Sequence, residues 1–186
     1  VVKYGCINNL PFFEWLEAKG VDVLAYDQDA LGEAIYQSCK SKADIVKADE
    51  TETSGIRSLL NLGHTFGHAL EAEAHYDGTL LHGEGVAIGI SMAFKLSHQL
   101  GICAGQEVKR VEQHFKELNL PTDISGLASK SLKVETLIDH MSRDKKVVDG
   151  RPRFVLVKGI GQAYQSDGVD PTEIQSLLET YFSSAT

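Results

Sequence analysis

Three histidines form the part of the sequence best suited to chemistry. His64 and His68 are four residues apart in N-L-G-H-T-F-G-H-A-L-E, and His82 follows in L-H-G-E. A spacing of four places two side chains on one face of a helix, and H-x-x-x-H is a recurring zinc arrangement. A turn at His75-Tyr76-Asp77-Gly78 would let the third histidine return to the first two at the start of the next helix. The pattern predicts a site for one metal ion.

The alternative interpretation is a helical core in which histidines are simply hydrogen-bonded, and for an isolated H-x-x-x-H we would prefer it. Two features favour a site. Gly63 and Gly67 weaken a helix, which indicates close approach by another backbone or a ligand. Asn61 and Arg57 precede His64 by three and seven residues, so in a single helix all three side chains would lie on roughly the same face. A helix face that is buried only for packing does not require arginine, asparagine and two histidines together.

Composition restricts the classes of function. A chain of 186 residues fits one domain with an adequate core. The net charge of −8 argues against a nucleic-acid partner, and the longest apolar run, 85–94, is too short and glycine-rich to cross a membrane. Cys6, Cys39 and Cys103 form no metal pair or disulfide framework, so we expect reduced, mostly packed thiols in a cytoplasmic protein. Because the sequence begins with Val, we expect a fragment or a processed product.

The elements that would position the histidines are mainly helical. Apolar periodicity and capping residues predict helices at Phe12–Ala18, Ala30–Lys47, Arg57–His75, Glu84–Leu100, Glu107–Leu118, Lys133–Arg143 and from a cap at Asp170 to Phe182. The segments 153–157 and 162–165 predict a β-hairpin. Gly85 and Gly89 are predicted to pack on a neighbouring helix within the core, and Trp15 and Tyr36 to be core residues. No Rossmann fingerprint is present.

These motifs resemble the 3-dehydroquinate synthase family, whose members catalyse the second step of the shikimate pathway. The resemblance continues through V-K-Y-G at 2–5, K-A-D-I-V at 42–46, Asp49-Glu50, Arg57 and R-D-K-K at 143–146. It implies that residues 1–186 are one C-terminal helical domain that binds metal and substrate. It also implies a mainly α fold with one small β-hairpin, and an N-terminal NAD-binding domain that lies outside these residues.

The resemblance implies a lyase reaction as well. The family converts 3-deoxy-D-arabino-heptulosonate 7-phosphate to 3-dehydroquinate and phosphate, by transient oxidation with NAD+, phosphate elimination, re-reduction and ring closure. The implied cofactors are Zn2+, with Co2+ as a possible substitute, and NAD+ held mainly by the other domain. The implied partner is a small anionic sugar-acid phosphate, with no nucleic acid or membrane, and the full-length protein is expected to be a cytoplasmic homodimer.

The resemblance also assigns the metal ligands. It names His64 and His82, with a third ligand, a glutamate, directly before Val1. It places His68 beside the substrate as a hydrogen-bonding or proton-transfer group, whereas spacing alone pairs His64 with His68, so His68 remains a reserve ligand. Catalytic zinc sites usually have three protein ligands. Two imidazoles without the carboxylate are therefore expected to hold zinc weakly, and the isolated chain is expected to be inactive.

Further residues are assigned by the same resemblance. It implies that Lys3, Glu52 and Asn61 are catalytic residues together with His68. It also implies that the substrate anions are bound by Lys42, Arg57, Lys145 and Lys146. Arg57 can bind an anion through two parallel hydrogen bonds, and which of the last two lysines points inward is left open. Glu84 is interpreted as a helix-start acid, with orientation of a ligand as a second role. The remaining histidines, at 75, 98, 114 and 140, are predicted to be surface or packed residues.

Other interpretations stay open. Related sugar-phosphate cyclases that form inosose- or valiolone-type rings share the scaffold, as do iron-dependent alcohol and glycerol dehydrogenases. The dehydrogenases usually have a different histidine spacing and no R-D-K-K segment. From another class, the isolated chain could be a non-catalytic helical module.

Overall fold

The chain folds into a mainly helical arrangement, as predicted. The computed structural model describes residues 1–75, 78–127, 132–143, 147–148 and 151–184. In these residues the helices are α1 (Val2–Asn8), α2 (Leu10–Leu24), α3 (Gln28–Ala48), α4 (His64–Glu73), α5 (His82–Gln99), α6 (Gly105–Glu117), α7 (Val134–Arg143) and α8 (Pro171–Ser184). Short 3₁₀ helices cover Arg57–Asn61 and Ser125–Leu127, and the strands are β1 (Val147–Val148), β2 (Arg151–Pro152), β3 (Phe154–Val157) and β4 (Ala163–Ser166).

The strands form two antiparallel pairs. The predicted hairpin is confirmed, because β3 pairs with β4 from Phe154 opposite Ser166 to Val157 opposite Ala163. A second pair of two residues each, β1 with β2, adds to the single hairpin that we predicted. Successive β3 side chains point to opposite faces, and both faces are buried. Phe154 and Leu156 join one hydrophobic cluster, while Val155 and Val157 join the other.

Helix α5 lies at the centre of the molecule. Its side chains also divide between the two clusters, with Ile88 and Met92 in the first and Ile90 and Phe94 in the second. It is therefore buried on several sides rather than along one stripe. It ends at Gln99, one residue before the predicted end at Leu100, and Gly101 follows in the left-handed conformation at φ +72°. Because α5 is packed on several sides, its first turn is held in a fixed position.

Two details near the N-terminus differ from prediction. We predicted a helix over Phe12–Ala18, but α2 runs from Leu10 to Leu24 and continues through Gly20. Gly20 is there for packing, since a Cβ at this position would come within 2.9 Å of Leu118 Cδ2. Tyr36 is not a core residue, because it is 59% exposed on α3. The cap of α3 is Asp27, whose Oδ1 accepts from the Ala30 N–H at 2.9 Å.

The predicted single helix from Arg57 to His75 is wrong. Arg57–Asn61 is a 3₁₀ helix, Gly63 has a φ of +79°, and α4 starts only at His64. A Cβ on Gly63 would lie 2.6 Å from the backbone nitrogen of Ile90, so α5 occupies the space beside this turn. Arg57 and Asn61 consequently do not share a helical face with His64.

Among the described residues, no helix is both long enough and apolar enough to span a membrane.

Candidate metal and substrate site

Glycines allow α4 and α5 to approach until their backbones touch. A Cβ on Gly67 would lie 2.9 Å from the carbonyl oxygen of Gly85, and a Cβ on Gly89 would collide with the carbonyl oxygen of Gly63. The predicted close approach at Gly63 and Gly67 is confirmed, and so is the packing of Gly85 and Gly89 within the core. This contact brings the side chains of α4 to the first turn of α5.

The three histidines meet at this contact. The ring centroids of His64 and His68 are 5.4 Å apart, those of His64 and His82 are 5.6 Å apart, and those of His68 and His82 are 6.2 Å apart. His64 and His82 are the first residues of α4 and α5, respectively. The expected return of the third histidine to the other two therefore occurs.

His64 is held in a form that can bind a metal. Its Nδ1 lies 3.0 Å from the carbonyl oxygen of Leu62, and a carbonyl only accepts, so Nδ1 carries the proton and Nε2 is the ligating nitrogen. Burial, with a smaller contribution from the charge of Lys3, lowers the pKa of His64 to about 4. The imidazole is thus neutral at physiological pH, which is the form that coordinates metals.

His82 is oriented by a residue that sequence reasoning missed. Its Nδ1–H donates to Glu71 Oε1 at 2.9 Å. The sequence offered Glu84 as a second candidate for this role, but its carboxylate accepts from the Leu81 N–H at 2.9 Å, which confirms only the helix-start interpretation. The sequence did contain a signal, because Glu71 follows His68 by three residues and so lies on the same face of α4.

The donor set suits a divalent transition metal. Among the described residues, His68, Glu71 and His82 each offer a ligand atom, and these atoms lie within 4.8 Å of one another. His64 adjoins them through its ring contacts. Imidazole nitrogens with a carboxylate are the usual ligands of catalytic zinc. The residues present therefore fit a zinc centre.

Lys3 lies at the edge of this group. Its Nζ donates to the carbonyl oxygen of Leu60 at 2.7 Å, which ties α1 to the 3₁₀ helix before α4. Together with His64 and His82, Lys3 lines a pocket of about 400 Å³ whose other walls are mostly apolar side chains of α1, α2, α5 and the segment that follows α6. A positive charge thus stands beside two of the histidines in the lining of this pocket.

Glu52 and Arg57 form a pair with each other. Arg57 Nε lies 2.9 Å from Glu52 Oε1, and Nη1 donates to the carbonyl oxygen of Glu50. Asp49 fixes this loop by accepting the backbone N–H groups of Arg57, Ser54 and Thr53. These hydrogen bonds, that of Arg57 first, lower the pKa of Asp49 to about 2. The loop therefore holds Arg57 through both its backbone and its side chain.

The other predicted site residues are less closely joined to the histidines. Asn61 Nδ2 donates to the carbonyl oxygen of Ser58 at 3.0 Å. Lys42 is exposed on α3, and the contacts described for the chain do not join it to the three rings. Lys145 and Lys146 lie outside the described residues.

The histidines that we assigned no chemistry are surface or packed residues, as predicted. His75 is exposed, and His98 Nδ1 lies 2.9 Å from the carbonyl oxygen of Cys103. His140 pairs with Glu73 at 3.1 Å. His114 is 2% exposed and meets Phe13 edge to face.

The sequence matches one protein family closely. Residues 1–147 match the family described as 3-dehydroquinate synthase C-terminal. The 3-dehydroquinate synthase of Ruegeria pomeroyi is 47% identical over 184 residues, which cover 99% of this chain and 50% of that protein. That of Cereibacter sphaeroides is 48% identical over 179 residues, covering 96% and 48%, respectively. The chain spans about half the length of the curated relatives it matches.

Solved structures share the fold. A 2-epi-5-epi-valiolone synthase from Streptomyces hygroscopicus, with NAD+ and Zn2+ bound, matches with a TM-score of 0.82 at 23% identity, covering 98% of this chain and 49% of that one. A 2-deoxy-scyllo-inosose synthase complexed with carbaglucose-6-phosphate, NAD+ and Co2+ matches with a TM-score of 0.65 at 18% identity, covering 80% and 42%. The family match and the curated relatives lead to one assignment: the chain belongs to the 3-dehydroquinate synthase family and corresponds to its C-terminal portion.

Proposed function

We propose that this chain works as the metal- and substrate-binding part of a 3-dehydroquinate synthase. The reaction is the phosphate-eliminating conversion of 3-deoxy-D-arabino-heptulosonate 7-phosphate to 3-dehydroquinate. The observation that carries the proposal is the meeting of His64, His68 and His82 at the contact between α4 and α5. It occurs in a chain that is nearly half identical to curated 3-dehydroquinate synthases over almost its whole length.

His64 and His82 are the proposed zinc ligands, and Co2+ could replace the zinc. The third ligand in this proposal is the family glutamate that would precede Val1, with His68 in reserve. Zinc bound here would act as a Lewis acid that acidifies a substrate hydroxyl and polarises a carbonyl. NAD+ belongs to the same proposal, because the solved valiolone synthase holds both NAD+ and Zn2+. It would be bound mainly by the other half of the protein.

His68 is the residue proposed to move a proton. Its side chain is exposed, whereas the backbone beside it is buried against α5. It can therefore meet a substrate that lies across the histidines, and an imidazole so placed can accept or donate a proton. Lys3, fixed by Leu60, contributes a positive charge on the α1 side of the same space.

Arg57 is the proposed anion-binding residue with the clearest geometry. Its guanidinium is shared between Glu52 and the carbonyl oxygen of Glu50, so a substrate carboxylate or phosphate would compete with Glu52 for it. Binding through two parallel hydrogen bonds would favour the substrate anion. The family resemblance adds Asn61, Lys42, Lys145 and Lys146 to this group. It also implies a cytoplasmic homodimer.

A sister cyclase is the second candidate, and the fold likeness to the valiolone and inosose synthases favours it. Those matches have 23% and 18% identity, against 47% for the synthase of Ruegeria pomeroyi. The difference supports 3-dehydroquinate synthase as the first choice.

The test is phosphate release from the seven-carbon substrate with Zn2+ and NAD+. The chain would be assayed alone and as a fusion to the remaining N-terminal part of the Ruegeria pomeroyi relative. We expect release from the fusion only, and loss of release in its His64→Ala variant. A folded, zinc-loaded fusion that releases no phosphate from this substrate would contradict the proposal, and turnover of another sugar phosphate would select the sister cyclase.

A further inference from the structure

The contact between Glu71 and His82 assigns a role to a residue outside the predicted site. We propose that Glu71 is a positioning residue, which fixes the ring of His82 in the Nδ1–H tautomer and leaves Nε2 as its metal-binding nitrogen. The inference rests on the proposed function in so far as that function uses a metal at His82.

The two partners differ sharply in exposure. The side chain of His82 is 62% exposed, whereas that of Glu71 is 10% exposed. An exposed imidazole at the first turn of a helix can rotate freely, and ordering it costs conformational entropy. A hydrogen bond of 2.9 Å to a carboxylate that is itself held between two helices removes much of that freedom before a metal arrives.

The Glu71 side chain packs against the first turn of α5. A Cβ on Gly85 would lie 3.4 Å from Glu71 Cγ, which is van der Waals contact, so the carboxylate of Glu71 is carried directly beside α5. The neighbouring acids have other partners, because Glu84 accepts from the Leu81 N–H and Glu73 pairs with His140. Glu71 is thus the acid of this region whose described contact reaches His82.

Positioning fits the geometry better than direct ligation. Glu71 Oε1 accepts the Nδ1–H of His82, and a carboxylate in that place both fixes the tautomer and makes Nε2 more basic. The competing role is that Glu71 joins His68 and His82 as a ligand, since their donor atoms lie within 4.8 Å of one another. The two roles predict different behaviour when Glu71 is replaced.

The first experiment needs no metal. The ¹⁵N chemical shifts of the His82 ring are measured in the metal-free chain at alkaline pH, where imidazole is neutral. We expect the Nδ1–H tautomer in the wild type, a shift towards Nε2–H in Glu71→Ala, and retention of Nδ1–H in Glu71→Gln, whose amide oxygen can still accept. Glu73→Gln and Glu84→Gln are the matched controls and should leave the signal unchanged. A wild-type His82 in the Nε2–H form, or one unaffected by Glu71→Ala, would overturn the proposal.

The second experiment measures Zn2+ and Co2+ affinity by competition with a chromophoric chelator. Loss of a carboxylate partner of a metal-binding histidine weakens binding by about 10- to 100-fold. We expect that loss in Glu71→Ala, a smaller one in Glu71→Gln and none in Glu73→Gln, with thermal melts to show that each variant is folded. Loss of binding in Glu71→Gln as complete as in His82→Ala would make Glu71 a ligand and overturn the positioning role. The two proposals can fail separately. If the fusion protein releases no phosphate, the proposed function is wrong, but the tautomer of the His82 ring in the metal-free chain still decides whether Glu71 is a positioning residue.

Discussion

The contact between α4 and α5 can be perturbed by one methyl group. In Gly89→Ala the new Cβ would collide with the carbonyl oxygen of Gly63, and it would lie 2.9 Å from Gly63 C and 3.0 Å from Gly67 N. All three obstacles are backbone atoms, which cannot move aside as the end of a flexible side chain can. The two helices must therefore separate, and the histidines at their starts must separate with them.

The size of the effect follows from the kind of contact. Adding a methyl group to a well-packed core costs about 1–3 kcal/mol, and backbone obstacles place this variant near the upper end. For a domain of this size each kcal/mol lowers the melting temperature by about 2–4 °C, which gives a drop of about 6–12 °C. The higher helix propensity of alanine offsets up to about 1 kcal/mol of this cost, so the net drop in melting temperature is about 4–12 °C.

The assay is thermal unfolding followed by circular dichroism, together with Zn2+ affinity. The matched control is Gly32→Ala, because Gly32 lies inside α3 and a Cβ there would meet nothing within 4 Å. That control should gain up to about 1 kcal/mol from helix propensity and keep its metal affinity. A Gly89→Ala variant as stable as the wild type, with unchanged zinc affinity, would refute the reasoning that glycine contacts position the histidines.

Three further predictions concern separate parts of the chain. Burial lowers the pKa of His114, so the unfolded state binds more protons than the folded state at acid pH, and stability falls as the pH drops below about 6.5. The melting temperature of His114→Phe should therefore fall less steeply with decreasing pH than that of the wild type. The same pH dependence in both proteins would contradict this prediction. Asp49→Ala removes the acceptor of three backbone N–H groups, so limited proteolysis should cut the loop at 50–56 faster, and an unchanged cleavage rate would show that the loop is held by other contacts. In the folded protein a thiol reagent should label Cys39 first, because Cys6 and Cys103 are buried, and burial raises the pKa of Cys6 to about 12; fast labelling of all three would contradict the packing.

Local patterns in the sequence were sufficient for much of the fold. Asp27, Gly101 and the Asp170-Pro171 pair mark helix ends through capping geometry that depends only on neighbouring residues. β-Branched and aromatic residues on both sides of the glycine-containing turn at 158–161 predicted the β3–β4 hairpin. These signals are local, so they can be interpreted without knowing what lies opposite.

The errors came from contacts between distant segments. The predicted histidine helix is interrupted at Gly63, because α5 fills the space beside this residue. Helix α2 instead continues through Gly20, where the glycine makes room for the side chain of Leu118. A glycine in a sequence indicates either a stop or a close approach, and only the packed partner decides between them. Glu71 was missed for a similar reason. Its place on the His68 face follows from spacing, but its meeting with His82 depends on how α4 crosses α5.

The measurement that tests the central claim most directly is a Co2+ titration of the fusion protein, followed by visible absorption. The claim is that the first residues of α4 and α5 bind one metal ion together. It predicts saturation at a single site, loss of the signal in His64→Ala and in His82→Ala, and an unchanged signal in His140→Ala, whose ring pairs with Glu73 instead. If His64→Ala and His82→Ala titrate like the parent protein, the metal centre lies elsewhere and the account is wrong.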